Sequence, residues 1–257
     1  MPKTFLIVLL GLLMAACSSS TRLTPQADSP VSFQDSAYAS LPELASFATQ
    51  KTDQFLVDMA LVARGNPYMG RRAEHPHTGA HVHFEQSGHD WPRGGTAPEN
   101  YPPIYAVSDG IIARIVETFN IGKNDRYGLY LALAHEGNTL WSMDYSIEPY
   151  APEPSPGFYA QFITVHNGER VKKGQIIAYM YLPGSDVDAA HIHFELISLN
   201  EGKMKAPAIF TPDVMRQFHD TWRDGGIDGQ SAMPVCMGWM LAADENPFAE
   251  VATDCLP

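Results

Sequence analysis

Charge is scarce in this chain of 257 residues, and positive charge is scarcer than negative. Asp, Glu, Lys and Arg make up 18% of the residues, and 17 Lys and Arg against 29 Asp and Glu give a net charge of −12. Proteins that bind nucleic acid or anionic lipid through surface charge need a basic face. The charge balance therefore excludes nucleic acid as an expected partner.

Long apolar runs are also missing, apart from one near the start of the chain. Residues 5–14 form an apolar run after Lys3 that is too short to cross a bilayer as a stable helix, which is typical of a signal peptide. Two alanines stand directly before Cys17, a pattern similar to the lipobox of bacterial lipoproteins. We expect cleavage after residue 16 and lipidation of the Cys17 thiol. An ordinary secretory signal with an incidental cysteine is the alternative.

Lipidation at Cys17 would anchor the chain to a membrane of the bacterial cell envelope. Ser18 follows it, not the Asp that often retains lipoproteins at the inner membrane, which favours an outer-membrane lipoprotein facing the periplasm. Cysteine is rare, and only Cys236 and Cys255 would remain as thiols. An exported compartment permits a disulfide between them, which would stabilise the fold by roughly 3 kcal/mol. Two free buried thiols are the alternative.

Glycine and proline are plentiful, with twenty of each. Together with the low charge they favour a loop-rich β protein. No alternation of strands and helices is visible, so the expected fold class is mainly β with an antiparallel sheet. The chain divides into a signal peptide (1–16), a flexible tether (17–33), a helical N-terminal segment (34–74), a β-sheet core (75–200) and a C-terminal appendage with a helix and an irregular tail (201–257).

Helices are expected in two places. Apolar residues near helical spacing over 41–64 predict one or two helices, the second starting near Asp53. Thr211, followed by Pro and Asp, predicts the start of a helix that runs to about Trp222.

Strands and turns alternate through the core. Asp109 and Gly110 predict a hairpin turn between two strands, and the Pro-rich stretch 148–157 is expected to be a surface loop. The predicted strands are 81–85, 104–107, 111–116, 127–135, 139–145, 176–182 and 191–198.

Histidines cluster in the sequence HPHTGAHVHFEQSGHD, residues 75–90, which holds five of the ten in the chain. His77 and His81 flank a glycine there, so a turn could bring both rings toward one point. Farther along, His191 and His193 are two apart on a predicted strand and so face the same side.

These histidines could form one metal site. Zinc in a catalytic site takes three protein ligands and keeps one position open for water, and a fourth imidazole could then act as a base. A surface histidine cluster, or metal sequestration without catalysis, is the alternative. Glu195 alternates with His191 and His193, so it either lies beside the site or is a solvated strand residue.

Residues 75–198 resemble the M23 family of zinc peptidases, the lysostaphin-like cell-wall endopeptidases. The resemblance implies a compact antiparallel sheet with a groove that holds zinc, and a peptide bond of peptidoglycan as the target. It also implies that His193 is a zinc ligand and His191 the catalytic histidine. The matching stretches are YAVSDGII (105–112), YGLY (127–130), HEGN (135–138), VKKGQII (171–177) and HIHFE (191–195).

The first metal motif of that family, His-x-Gly-x-Asp, is altered here. His77 and His81 fit the motif, with His81 in place of the usual Asp. Another register puts Asp90 at the acidic position, but Gln86 then stands at the histidine position. We prefer the first register, which makes His77, His81 and His193 the expected zinc ligands. The extra positive charge of such a site should make its bound water more acidic.

A second departure concerns the family motif Tyr-x-His-Leu, because Met143 stands where its histidine belongs. One of two catalytic imidazoles is then missing unless His83 or His89 replaces it in space, and we take His83 as the stand-in. Loss of such a group typically slows a reaction by about 10²- to 10⁴-fold. The expected function is a zinc-dependent peptidoglycan endopeptidase. The alternatives are a degenerate M23-like module that regulates cell-wall hydrolases, and metal binding or another hydrolytic specificity.

Overall fold

A computed structural model describes residues 37–68, 79–84, 97–121, 124–183, 190–224, 245 and 247–248. The strands are β1 (Val62–Asn66), β2 (Ala80–Phe84), β3 (Pro103–Tyr105), β4 (Gly110–Ile121), β5 (Asn124–Glu136), β6 (Thr139–Ala151), β7 (Arg170–Val171), β8 (Ile176–Tyr179), β9 (His191–Ser198) and β10 (Met204–Lys205). The helical elements are α1 (Pro212–Asp220) and 3-10 turns at Tyr38–Ser40, Leu44–Ala48, Met59–Leu61, Pro98–Asn100, Tyr159–Phe162 and Thr221–Asp224.

Eight of the described strands form one antiparallel sheet in the order β1-β2-β9-β6-β5-β4-β7, with β10 also paired to β9. A separate two-stranded sheet joins β3 and β8. The predicted fold class, mainly β with a large antiparallel sheet, is confirmed. The predicted strand at 191–198 coincides with β9, and the predicted pair of strands around residue 137 is the β5–β6 hairpin, in which Gly137 has a φ of 57°.

Successive side chains of a strand point to opposite faces of the sheet, and this alternation separates the core from the site. On one face of β9, Phe194 packs against Phe55 and against Phe218 of α1, with ring centroids 5.6 and 5.7 Å apart. Tyr145 of β6 lies opposite Phe194 and is fully buried on this same face. The other face of the two strands carries the histidines and carboxylates described below.

The prediction of a helix that starts near Asp53 is wrong. Thr52 donates its backbone N–H to Ile209 and its carbonyl accepts from Thr211, while the carbonyl of Leu56 accepts from Tyr105. Because these backbone groups bond to distant segments, they are not available for the bonds within a helix. The helical part of this segment is limited to the 3-10 turns at Leu44–Ala48 and Met59–Leu61.

The predicted hairpin around Asp109 and Gly110 is also wrong. The strands on either side, β3 and β4, belong to different sheets and pair with other strands. The Asp109 carboxylate instead accepts hydrogen bonds from Lys172 Nζ at 2.7 Å and from the backbone N–H of Lys173 at 2.9 Å. It therefore holds the turn before β8 rather than closing a two-residue hairpin loop.

The C-terminal helix begins where it was predicted, although Thr211 makes no side-chain capping bond, and it continues as a 3-10 turn to Asp224. No helix in the described part of the chain is long and apolar enough to cross a membrane. Cys17, Cys236 and Cys255 lie outside the described residues, so their lipidation and disulfide stay predictions.

Candidate metal and catalytic site

Four histidines meet on one face of the sheet because β2 and β9 pair in register. His81 lies opposite His193, and His83 lies opposite His191. The Nε2 atom of His81 is 3.0 Å from the Nδ1 atom of His193, and the two rings are perpendicular. Gly79 precedes β2, and its lack of a side chain leaves room for the ring of His193.

The contact between the two nitrogens of His81 and His193 has the length of a hydrogen bond and is also compatible with a shared metal ion. Zinc–nitrogen bonds are about 2.0 to 2.1 Å long, so two nitrogens bound to one zinc lie within roughly 4 Å of each other. No group of three His, Cys, Asp or Glu side chains that could hold a metal forms among the residues that the structure describes. His77, the third predicted ligand, lies outside them, as do His89 and Asp90. Zinc binding by His77, His81 and His193 therefore stays a prediction.

Two carboxylates lie beside the histidines. Glu195 Oε2 is 3.3 Å from His193 Nε2, and Glu195 is buried. Glu195 therefore lies beside the site and is not a solvated strand residue. Asp144 of β6 pairs with Glu195 across the sheet and is also buried. Burial and the charge of Glu195 raise the pKa of Asp144 to about 8.

The same two carboxylates change the pKa of His193. Burial lowers the pKa of its imidazole, but the hydrogen bond and charge of Glu195, with the charge of Asp144, outweigh burial and leave the pKa raised. The protonated form of His193 is therefore stabilised by negative charge that could equally balance a bound cation.

His83, the predicted stand-in for the missing imidazole, lies against His191 with ring centroids 4.8 Å apart. Its Nδ1 is 3.2 Å from Nη2 of Arg64. Because a guanidinium only donates, Nδ1 must accept, which places the proton of neutral His83 on Nε2. Burial, then the positive charges of His191 and Arg64, lower the pKa of His83 to about 3. His83 is therefore neutral at physiological pH, and its catalytic role stays a prediction.

Met143 does not belong to this site. It is fully buried and lies opposite Leu196, on the face of the sheet that packs into the core. The residues of β6 that face the histidines are its neighbours in alternation, Asp144 opposite Glu195 and Ser146 opposite His193. A side chain at position 143 would point into the core, whatever its chemistry.

Glu148 is the residue that the sequence reasoning missed. It lies opposite His191 in the β6–β9 pairing, and its Oε2 is 2.9 Å from His191 Nε2. Its Oε1 accepts a hydrogen bond of 2.5 Å from Nη1 of Arg126 on β5. Glu148 was expected in a surface loop because it begins the Pro-rich stretch 148–157, but β6 continues to Ala151. The signal that could have found it is the polar series Asp-x-Ser-x-Glu at 144–148, which alternates with buried apolar residues.

The charge state of Glu148 follows from these partners. Burial raises the pKa of the carboxyl, but the hydrogen bond and charge of His191 and the charge of Arg126 outweigh it and hold the pKa below its usual value. Glu148 is therefore an ionised carboxylate inside the sheet, with a cationic partner on one oxygen and an imidazole on the other.

Tyr150 stands at the rim of the site. Its backbone has a φ of 61°, a left-handed conformation that non-glycine residues rarely adopt. The side chain is 53% exposed, and its ring centroid is 6.2 Å from that of His191. Backbone strain of this kind concentrates at functional sites.

No protein-family model matches this sequence, and no curated protein matches it. The fold is similar to those of solved peptidases. A zinc-containing peptidase from Vibrio cholerae is 19% identical over 60% of this chain and 39% of its own, with a TM-score of 0.34. Lysostaphin from Staphylococcus simulans is 17% identical over 72% of this chain and 59% of its own, with a TM-score of 0.36.

A third structure, from Enterococcus faecalis, is a variant of the catalytic domain of the prophage-encoded M23 protein EnpA. It is 20% identical over 56% of this chain and 88% of its own, with a TM-score of 0.32. This chain spans less than two thirds of the length of the first two structures. The structural neighbours thus include M23-family peptidases, at low identity.

Proposed function

We propose that this chain is a zinc-dependent hydrolase of peptidoglycan peptides. His77, His81 and His193 would be the metal ligands, and His191 the catalytic histidine. The observation that carries the proposal is the 3.0 Å separation between His81 Nε2 and His193 Nδ1. These two histidines are 112 residues apart in the chain, and both lie in motifs that resemble those of M23 peptidases.

The surrounding side chains suit a hydrolytic site. Zinc, when bound, would polarise the peptide carbonyl and acidify a water molecule. His191 is buried beside the ligand pair, at a ring-centroid distance of 5.2 Å from His81, where an imidazole can move a proton between the water and the leaving nitrogen. Glu195, whose Oε2 is 3.3 Å from His193 Nε2, adds negative charge, which offsets part of the positive charge of a site built from three neutral histidines and a divalent cation.

The proposal includes a lipid anchor at Cys17 in the outer membrane, facing the periplasm. The stretch 17–33 is rich in Ser, Thr and Pro and has few apolar residues, as a flexible tether would. Such a tether would hold the site within reach of the cell wall. Labelling of cells with a fatty-acid analogue, with Cys17→Ala as the control, would test the anchor.

A second candidate is a non-cutting module that regulates cell-wall hydrolases. The position of Met143 in the core favours it, because the second catalytic imidazole of the M23 motif is then absent unless His83 supplies it. His83 is neutral and carries its proton on the nitrogen that does not face Arg64. It could therefore donate a hydrogen bond, which leaves the enzyme as the better-supported candidate.

The two candidates differ in a direct assay. Purified protein loaded with zinc is incubated with isolated peptidoglycan, and the released muropeptides are separated and identified by mass. The enzyme is expected to release muropeptides, and His191→Ala should remove that activity while zinc stays bound. Bound zinc without any release from several wall preparations would reject the enzyme in favour of the regulator.

A further inference from the structure

Among the groups around the four histidines, the buried pair formed by Glu148 and Arg126 has no role in the proposed function as stated. The side chain of Glu148 is 2% exposed and that of Arg126 is 8% exposed. Both charges have been taken out of water, and desolvation of two ions is costly even when they are paired. Replacement of such a pair by apolar residues often leaves stability unchanged or higher, so stability alone does not account for it.

The geometry of the carboxylate is specific. Its two oxygens have different partners, with Oε1 accepting from Arg126 and Oε2 lying 2.9 Å from His191 Nε2. Ser146 Oγ also lies 3.4 Å from Oε1. Arg126 therefore fixes which oxygen of Glu148 faces the imidazole. The pairing of β6 with β9 fixes the position of Glu148 opposite His191.

We propose that Glu148, held by Arg126, is the positioning residue for His191. A carboxylate can only accept, so at 2.9 Å from Nε2 it favours the tautomer of neutral His191 that carries its proton on Nε2 and leaves Nδ1 as the acceptor. It also holds the ring in one orientation. This inference rests on the proposed function for its catalytic consequence, but the position of the proton can be measured without any activity.

Glu148→Gln gives a sharp test because Arg126 can only donate. The amide oxygen of the glutamine is expected to turn toward Arg126, which leaves the amide NH₂ facing His191. The imidazole Nε2 must then accept, and the proton of neutral His191 moves to Nδ1. The substitution keeps the size of the side chain and reverses the tautomer of its neighbour.

The experiment is a long-range ¹H–¹⁵N correlation spectrum of the histidines in the metal-free full chain, recorded at alkaline pH where imidazoles are neutral. His191→Gln identifies the His191 signals. The wild-type chain is expected to show a protonated Nε2 on His191, and Glu148→Gln a protonated Nδ1. Glu117→Gln, an exposed glutamate on β4, is the matched control and should leave the wild-type pattern.

A protonated Nδ1 in the wild-type chain overturns the inference, and this reading does not depend on any variant folding. An unchanged tautomer in folded Glu148→Gln overturns it as well. Glu148→Asp, which keeps the carboxylate, should keep the wild-type tautomer.

The second measurement is the activity of Glu148→Gln. It is made at a temperature below the unfolding transition of the variant, because Glu148→Gln leaves Arg126 without its counter-charge and so lowers stability. The kcat for muropeptide release is expected to fall by about 10²- to 10⁴-fold while KM changes little. Glu148→Asp should recover part of the loss, and a Glu148→Gln variant with wild-type kcat would overturn the inference. If the wild-type chain releases no muropeptides, the proposed hydrolase fails, while the tautomer spectra still decide whether Glu148 positions His191.

Discussion

The ring of His193 lies so close over Gly79 that a Cβ atom added at Gly79 would stand 2.3 Å from His193 Nε2 and 2.8 Å from Glu195 Oε2. Carbon atoms do not approach other heavy atoms this closely without displacement. The glycine before β2 is therefore part of what allows His193 to meet His81.

Gly79→Ala is expected to displace the His193 ring and weaken zinc binding by about 10- to 100-fold, the range seen when groups that orient a ligand are removed. Overpacking should also lower the free energy of unfolding by about 1 to 3 kcal/mol. Competition with a chromogenic chelator measures the affinity. Gly202→Ala is the control, because its φ of 63° makes alanine unfavourable there although no atom lies within 4 Å of the added carbon. Gly202→Ala should lose stability and keep its zinc affinity. Equal zinc affinities in the two variants would contradict the steric explanation.

Arg126→Met is expected to lower the free energy of unfolding by about 3 to 5 kcal/mol, because it leaves the Glu148 carboxylate buried without its counter-charge. Adding Glu148→Gln removes that charge, so the double variant should be more stable than Arg126→Met alone. Urea denaturation of the wild type, both single variants and the double variant gives the coupling energy. If the two single effects simply add, the pair is not coupled and the electrostatic reasoning fails.

Asp144→Asn should change the pH dependence of stability. The pKa of Asp144 is raised from its ordinary value of 3.8 to about 8, so between these values the folded state binds more protons than the unfolded state. The contribution of this residue to stability is therefore fully present below about pH 4 and is lost as the pH rises through about 8.

In metal-free protein, Asp144→Asn should melt near the wild-type temperature at about pH 4 and at least about 2 °C higher at about pH 9. Thermal denaturation of both proteins at a series of pH values measures the difference. A difference that does not change with pH would show that Asp144 does not titrate in this range.

At position 150, the usual order of stability of alanine and glycine variants should be reversed. In strands glycine is normally less stable than alanine by roughly 0.5 to 1 kcal/mol, but at a φ of 61° alanine is strained by about 1 to 2 kcal/mol. Tyr150→Gly is therefore expected to be more stable than Tyr150→Ala. At Glu117, in β4, the normal order should hold. Denaturant midpoints of the four variants test this, and the same order at both positions would show that the left-handed backbone is absent in solution.

Sequence patterns predicted the parts of the fold that depend on local rules. Strand β9 follows from its alternation of histidines with Ile192 and Phe194, and the β5–β6 hairpin follows from a glycine turn between two apolar strands. The resemblance of the two histidine motifs to those of M23 peptidases also predicted that His81 and His193 would lie close together, and their ring nitrogens are 3.0 Å apart.

The failures came from partners that are distant in the chain. Asp109 next to a glycine predicts a hairpin. In the structure its carboxylate instead accepts hydrogen bonds from Lys172 and Lys173, in the turn before β8. The Pro-rich stretch 148–157 suggested a loop at Glu148, but the pairing of β6 with β9 keeps this residue in a strand opposite His191. The alternation of polar and apolar residues over 144–148 could have placed Glu148 in a strand, but nothing local to position 148 indicates that His191, more than forty positions away, is its partner.

The proposed function requires that His81 and His193 share one zinc ion. Metal content of the purified full chain, measured by inductively coupled plasma mass spectrometry after dialysis against limiting zinc, tests it most directly. We predict one zinc per chain in the wild type, none in His81→Ala or His193→Ala, and one in His166→Ala, which alters an exposed histidine far from the site in the sequence. Full zinc content in His81→Ala and in His193→Ala, or none in the wild type, would contradict the account.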